Sequence, residues 1–213
     1  MIYLLIGKSG VGKSTILKRL KEDGIVKPIV TCTTRPCRFG EIDGLDYHFM
    51  TDEEFYEARR NNKFLEWTSY KVANGETWYY GSLLEDFEDT SDRAIIVNPA
   101  GLKPIKRECK LRGIKTKTIL LTCDPNILQS RLIKRRDNPY ELKRRTQADA
   151  IDFQNIEDLV DMTIHTDTDI NTTIEQVIKI INKEKKISGI QNIFKRWHDR
   201  IIRRRNDNME EKS

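Results

Sequence analysis

At 213 residues the chain has room for one sizeable α/β core with small insertions, or for two very small domains. Its 38 basic and 33 acidic residues leave a charge of +5, a modest surplus that suits phosphorylated ligands and does not by itself argue for nucleic acid. Cys32, Cys37, Cys109 and Cys123 form no C-x-x-C pair and stand beside no histidine cluster, which reads as reduced thiols of a cytoplasmic protein rather than a disulfide frame or a zinc site.

The chain opens on Ile2-Tyr3-Leu4-Leu5-Ile6, an apolar run with the look of a buried strand and too short for a signal peptide. No stretch approaches the roughly 20 apolar residues that cross a bilayer. Next comes Gly7-Lys8-Ser9-Gly10-Val11-Gly12-Lys13-Ser14-Thr15, which fits G-x-x-x-x-G-K-[ST], and a helix is predicted from Ser14 to Leu20. Strand, glycine loop and helix in that order form a phosphate-binding loop. Glycines let successive N–H groups converge on a polyphosphate, and the helix start adds positive potential. Gly7 to Thr15 are thus the expected ATP-binding residues, with Lys13 reaching the β- and γ-phosphates and the Ser14 hydroxyl as a ligand for Mg²⁺.

Further strands are predicted at Ile29-Val30 leading into Thr31, at Ala94-Ile95-Ile96-Val97, at Thr118-Ile119-Leu120-Leu121 and, more weakly, at Asp161–His165. Helices are predicted at Asp52–Asn61, Ser82–Asp86, Leu102–Leu111, Pro125–Lys134, Ala148–Leu159 and Thr172–Lys183, the last with Ile174, Val177, Ile178 and Ile181 on one face. This alternation predicts an α/β fold of the P-loop NTPase type, a mostly parallel sheet flanked by helices, with ligands beyond the carboxyl ends of the strands. Residues 31–81, rich in Thr, Gly and Tyr, break the alternation as an inserted β-rich substrate-binding region. Residues 131–145 carry Arg131, Lys134, Arg135, Arg136, Lys143, Arg144 and Arg145, a basic lid over the triphosphate. The core then comprises 1–30, 82–130 and 146–184. Residues 185–213 form a basic amphipathic tail, with Ile190, Phe194, Trp197 and Ile201 on one helical face. That face is expected to pack on the core or on a second copy, the alternatives being an anionic surface or a partner.

The stretch Thr31-Cys32-Thr33-Thr34-Arg35-Pro36-Cys37-Arg38-Phe39-Gly40-Glu41-Ile42-Asp43-Gly44-Leu45-Asp46-Tyr47-His48-Phe49 resembles the guanylate kinase signature T-T-R-x-x-R-x-G-E-x-x-G-x-D-Y-x-F. Phe64-Leu65-Glu66-Trp67 and Tyr79-Tyr80-Gly81 are similar to that family's F-x-E-W and Y-Y-G segments. The resemblance implies ATP and GMP or dGMP as substrates and phosphoryl transfer as the reaction. It implies that Arg35, Arg38, Tyr47 and Tyr80 hold the GMP phosphate, and forked guanidinium groups suit that dianion. It also implies that Thr31 and Glu66 read the base: guanine N1–H and N2–H₂ both donate to one carboxylate, which adenine N1 would repel. From the lid, Arg135 and Arg145 are the arginines expected to join Lys13 and Arg35 in catalysis.

The sequence departs from the family after residue 90. An Asp-x-Asp pair is expected where Ile96-Val97-Asn98 stands; Asn98 retains an acceptor for the guanine N2 amine, but Ile96 retains no carboxylate for organising Mg²⁺. The interval from Trp67 to Tyr79 is longer than usual, and Gly75 within it suits a hairpin turn. His165, where the family often has Asn, reads as a strand-end residue. Two alternatives stand beside a GMP kinase: a broader deoxynucleoside monophosphate kinase, and a non-catalytic guanylate-kinase-like domain that binds a phosphopeptide. The second sits poorly with an intact phosphate loop.

Overall fold

β1 (Ile2–Gly7) is buried along its whole length, because both faces of its sheet are covered and a continuous apolar run is what such a strand requires. The computed structural model describes residues 1–38, 40–72, 75–134, 146–147 and 149–187. The chain divides into two units, Met1–Thr173 and Ile174–Ser213. In the first, β1 is followed by α1 (Lys13–Glu22), β2 (Lys27–Pro28), β3 (Cys32–Thr33), β4 (His48–Phe49), α2 (Asp52–Arg60), β5 (Phe64–Lys71) and β6 (Thr77–Leu83). Then come α3 (Glu85–Glu88), β7 (Arg93–Ile96), α4 (Pro99–Leu111), β8 (Thr116–Thr122), α5 (Pro125–Lys134), a 3₁₀ turn at Ile156–Leu159 and β9 (Met162–His165).

Five of these strands make one parallel sheet in the order β2-β7-β1-β8-β9. Ile2, Leu4, Ile6, Ile95, Val97 and Leu120 meet Leu102, Ile105 and Cys109 of α4 and Ile156 in the main apolar core. The expected α/β sheet with its helices is therefore present. The other four strands form a separate sheet, β4-β3-β6-β5, within the predicted insertion. Its long β5–β6 hairpin turns at Gly75, whose φ of +87° is available to glycine at little cost and whose N–H donates to Val72. α2 is closed by a reciprocal cap, Thr51 Oγ1 accepting from the Glu54 N–H and the Glu54 carboxylate from the Thr51 N–H.

Several element boundaries differ from the sequence expectation, three of them for an identifiable physical reason. The strand expected at Ile29-Val30 is β2 at Lys27–Pro28; it is an edge strand, the one place where a residue without an N–H is tolerated in a sheet. Ser82 and Leu83 belong to β6, where they pair with Glu66 and Phe64, so the short helix begins at Glu85 instead of Ser82. The helix expected over Ala148–Leu159 is broken: residues 149–152 are helical, and Asn155, at φ +58°, interrupts the chain before the 3₁₀ turn. Residues 170–187 are helical, and Ile174, Val177 and Ile181 at their spacing are buried. Most of the predicted lid (135–145) and of the tail (188–213) lies outside the described residues.

Candidate active site

β1 ends at Gly7, where backbone crowding decides the residue. A Cβ there would lie 2.4 Å from the carbonyl oxygen of Leu121, the register partner on β8, so glycine alone lets the chain leave the sheet at this point. Gly12, at φ +101°, is the N-cap of α1 and supplies no side-chain acceptor to the first-turn N–H groups, among them those of Ser14 and Thr15. The Lys13 ammonium folds back over the loop and donates to the carbonyl oxygens of Gly7 at 2.6 Å and Lys8 at 3.0 Å. Val11 is buried, so its part in the loop is its backbone. The Ser9 N–H donates to Asp149 Oδ2 at 2.8 Å. A carboxylate therefore stands where a loop of this kind offers its N–H groups to a phosphate oxygen.

The second sheet gathers the remaining candidates. Glu66, Thr68 and Tyr70 alternate along β5 and share one face; their partners on β6 are Ser82, Tyr80 and Trp78. Ser82 Oγ donates to Glu66 Oε1 at 2.8 Å. Burial pushes the Glu66 carboxyl above the ordinary glutamate value, and the Ser82 hydrogen bond offsets only part of that. Tyr80 meets Tyr47 and Tyr70 edge-on, with centroids 6.2 and 5.6 Å apart.

Arg35 is 3 % exposed. Its Nη2 donates to both oxygens of Glu41 (2.8 and 2.9 Å) and its Nη1 to the Pro36 carbonyl (2.6 Å), while the guanidinium lies over the rings of Tyr47 and Phe49. Burial alone would raise the Glu41 carboxyl, but the Arg38 N–H and the Arg35 guanidinium hold it below the usual range. The two threonines before Arg35 are latches. Thr33 Oγ1 donates to the Tyr79 carbonyl and accepts from the Arg35 N–H, and Thr34 Oγ1 accepts from the Tyr79 N–H. They tie the start of the signature to β6 and aim the arginine. Thr31, half-buried, accepts from the His48 N–H through its carbonyl, and Arg38 is exposed.

Asn98 connects the two sheets. It follows β7 and, by the register that pairs Leu5 with Ile96, stands level with Gly7 at the carboxyl edge of the parallel sheet. Its Oδ1 accepts from the Gly101 N–H at 2.7 Å, capping α4, and its Nδ2 donates to the Tyr70 hydroxyl at 2.8 Å. Arg131 donates to the hydroxyl and carbonyl of Thr166, so it braces the end of β9. His165 is exposed at that strand end, as expected. Arg135 and Arg145 lie outside the described residues.

Of the predicted residues, the structure places Glu66 and Tyr80 in the second sheet, sets Arg35 and Tyr47 in the loops beside its β3 and β4, and links Asn98 to it through Tyr70. Sequence reasoning missed four participants. Glu41 was inside the signature and Ser82 directly follows Tyr-Tyr-Gly, so both had a signal. Tyr70 had only its even spacing from Glu66, and Asp149 had none.

Among the described residues no three His, Cys, Asp or Glu side chains gather into a protein-built metal cage. The side chain the sequence nominates as a donor to a divalent cation, the Ser14 hydroxyl, stands in the first turn of α1. That sparse set fits Mg²⁺, which keeps several waters and binds through nucleotide phosphates with few protein ligands.

The guanylate kinase family model matches residues 1–184. A guanylate kinase of Mycoplasmoides gallisepticum is 35% identical over 191 residues, covering 86% of this chain and 92% of that one. One from Helicobacter hepaticus is 32% identical over 205 residues, covering 92% and 98%. The crystal structure of guanylate kinase from Anaplasma phagocytophilum superposes with a TM-score of 0.64 at 22% identity, covering 86% of this chain and 85% of that one, a likeness of fold.

Proposed function

This chain belongs to the guanylate kinase family and is an enzyme that transfers the γ-phosphate of ATP to GMP; we propose that the transfer takes place between the phosphate loop and the polar face of the β5–β6 hairpin. The observation that carries this reading is the Asn98–Tyr70 hydrogen bond, which joins the sheet edge where Gly7 opens the phosphate loop to the strand bearing Glu66. No helix among the described residues is long and apolar enough to cross a membrane. Four unpaired cysteines suit a cytoplasmic enzyme.

In this proposal the loop N–H groups and Lys13 hold the β- and γ-phosphates of ATP. Arg35, fixed by Glu41, and Arg38 hold the phosphate of GMP or dGMP with the Tyr47 and Tyr80 phenols. An oxygen of that phosphate attacks the γ-phosphorus in line; the new P–O bond forms as the bond to the β–γ bridging oxygen breaks, and ADP leaves. No general base is required, because the acceptor phosphate is largely dianionic at neutral pH. Ser14, together with the nucleotide, would hold Mg²⁺, which would supply charge neutralisation. Arg135 and Arg145 complete the set by closing over the transferring group. Glu66 reads guanine N1–H and N2–H₂ while Ser82 keeps its carboxylate oriented, Thr31 adds a hydroxyl, and Asn98 joins the GMP subsite through the Tyr70 hydroxyl that it holds.

The direct test is coupled-assay turnover with ATP and Mg²⁺ on GMP, dGMP, AMP, dTMP and CMP at equal concentration. Strong preference for the two guanine nucleotides is expected. Comparable rates on several bases would sink the base-reading scheme in favour of a relaxed kinase.

ATP must displace Asp149 from the Ser9 N–H. Asp149→Asn removes the competing charge, and giving up a contact of about 1 kcal/mol corresponds to about fivefold in affinity. The expected result is a KM for ATP lowered about fivefold with the KM for GMP unchanged. An unchanged or raised KM for ATP would show that Asp149 does not oppose the nucleotide.

A further inference from the structure

The proton on the Tyr70 hydroxyl has a determined direction, and it follows from a neighbour that cannot ambiguously donate or accept. The backbone N–H of Gly101 can only donate, so the Asn98 atom 2.7 Å from it is the amide oxygen. The other end of the same amide, 2.8 Å from the Tyr70 phenol, is therefore the NH₂ group. An NH₂ group can only donate, so the phenol oxygen accepts from Asn98 and its own proton points away from Asn98. With a carboxylate at position 98 the proton would turn inward instead.

We propose that Tyr70 is a substrate-binding residue that donates this proton to the guanosine portion of the acceptor nucleotide, and that Asn98 is the positioning residue that keeps the proton pointed outward. The inference rests on the reading of Glu66 as the base-recognising residue. Tyr70 shares its face of β5 with Glu66 and meets Tyr80 edge-on at 5.6 Å. It thus faces the part of the nucleotide between the N1/N2 edge, taken by Glu66, and the phosphate, taken by Tyr80. The acceptors in that span are guanine N3 and the oxygens of the sugar, of which the 2′-hydroxyl is the one dGMP lacks. Burial pushes the phenol above its ordinary titration range despite the opposing Asn98 hydrogen bond, so it remains a neutral donor through physiological pH. The substitution of Asn for a carboxylate and the presence of Tyr70 are then one device: the donor supplied by the phenol works only while its partner cannot accept.

The test uses the full chain at saturating ATP, with kcat and KM measured for GMP and dGMP in the unmodified enzyme, Tyr70→Phe, Asn98→Asp and the double variant. Tyr70→Phe keeps the ring packing and removes only the donor; about a tenfold rise in KM is expected, with kcat and the KM for ATP within about twofold. Asn98→Asp still caps α4 and is expected to raise the KM for GMP by a similar factor, although it brings back the residue the family usually carries. The double variant is expected to be no worse than the worse single one, because both act on the same proton. A loss confined to GMP assigns the acceptor to the 2′-hydroxyl, and an equal loss on dGMP assigns it to guanine N3 or to a sugar oxygen that dGMP keeps. An unchanged KM in Tyr70→Phe, or a lowered KM in Asn98→Asp, overturns the proposal. Thermal midpoints and the KM for ATP separate a folding defect from either result. Failure of the unmodified enzyme to phosphorylate any guanine nucleotide would instead remove the Glu66 reading beneath it.

Discussion

Lys13→Met is expected to lower kcat by roughly 10³-fold while leaving the KM for GMP within about twofold. The Lys13 ammonium is already held over the loop by the Gly7 and Lys8 carbonyls, so its charge is in place before any nucleotide arrives. Preorganised charge of this kind acts on the transition state, where negative charge spreads over the transferring oxygens, and costs no reorganisation at that moment. The residues proposed to hold GMP lie on or beside the other sheet and carry their own ties, Arg35 to Glu41 and Glu66 to Ser82. Loss of kcat with acceptor affinity kept is therefore the signature to look for in steady-state kinetics. A Lys13→Met enzyme that turns over normally would refute the loop as the phosphate-holding element. Lys13→Arg serves as the second variant: it keeps the charge on a wider, planar group, and partial activity there would show that charge and shape contribute separately.

Glu66→Gln is expected to reduce kcat/KM for GMP by roughly 10²- to 10³-fold, through KM more than kcat. The change removes a charge-assisted acceptor and turns an NH₂ group toward a guanine edge that also donates, so one contact is lost and another becomes repulsive. It also changes the pH profile. Burial raises the Glu66 carboxyl above its ordinary value, so the empty folded protein binds that proton more tightly than the unfolded chain does. Stability contributed at this position therefore falls as pH rises from the ordinary glutamate range, about 4.3, through the raised folded value, and is level above it. Guanine binding runs the other way: it needs the ionised carboxylate, so the KM for GMP rises as pH falls through that raised value. In Glu66→Gln that part of the acid limb should vanish, leaving the titration of the acceptor phosphate near pH ~6. An acid limb identical in both enzymes would show that Glu66 does not titrate in the recognition step.

Two features outside the motifs modify this scheme. Asp149 meets the Ser9 N–H from a helical stretch some 140 residues away in sequence, so in the proposed scheme ATP enters a loop whose anion site is already engaged. Asn98 caps a core helix with one end and holds a tyrosine of the inserted sheet with the other. Asp149 looks in sequence like any other polar residue, and Asn98 is marked there only as an acceptor for the guanine amine, not as this link.

The sequence by itself determined the elements whose physics is local. A wholly apolar strand, glycines at fixed spacing and a lysine opening a helix specify a phosphate loop without reference to the rest of the chain, because backbone conformation and N–H direction follow from Gly7, Gly10 and Gly12. The guanylate kinase signature likewise marked Arg35, Tyr47, Glu66 and Tyr80 in advance. Only the tertiary structure decided how those groups are oriented. That Ser82 tethers Glu66, and that Thr33 and Thr34 latch onto Tyr79, depends on the β3–β6 and β5–β6 registers, which no local pattern fixes. The element ends were decided the same way. Ser82 is strand because it has Glu66 opposite it, and β2 can include Pro28 because it lies at a sheet edge. The direction of the Tyr70 proton lies furthest from the sequence. It depends on a backbone N–H three residues past Asn98 and on a strand 28 residues before it, which only the folded chain brings to one amide.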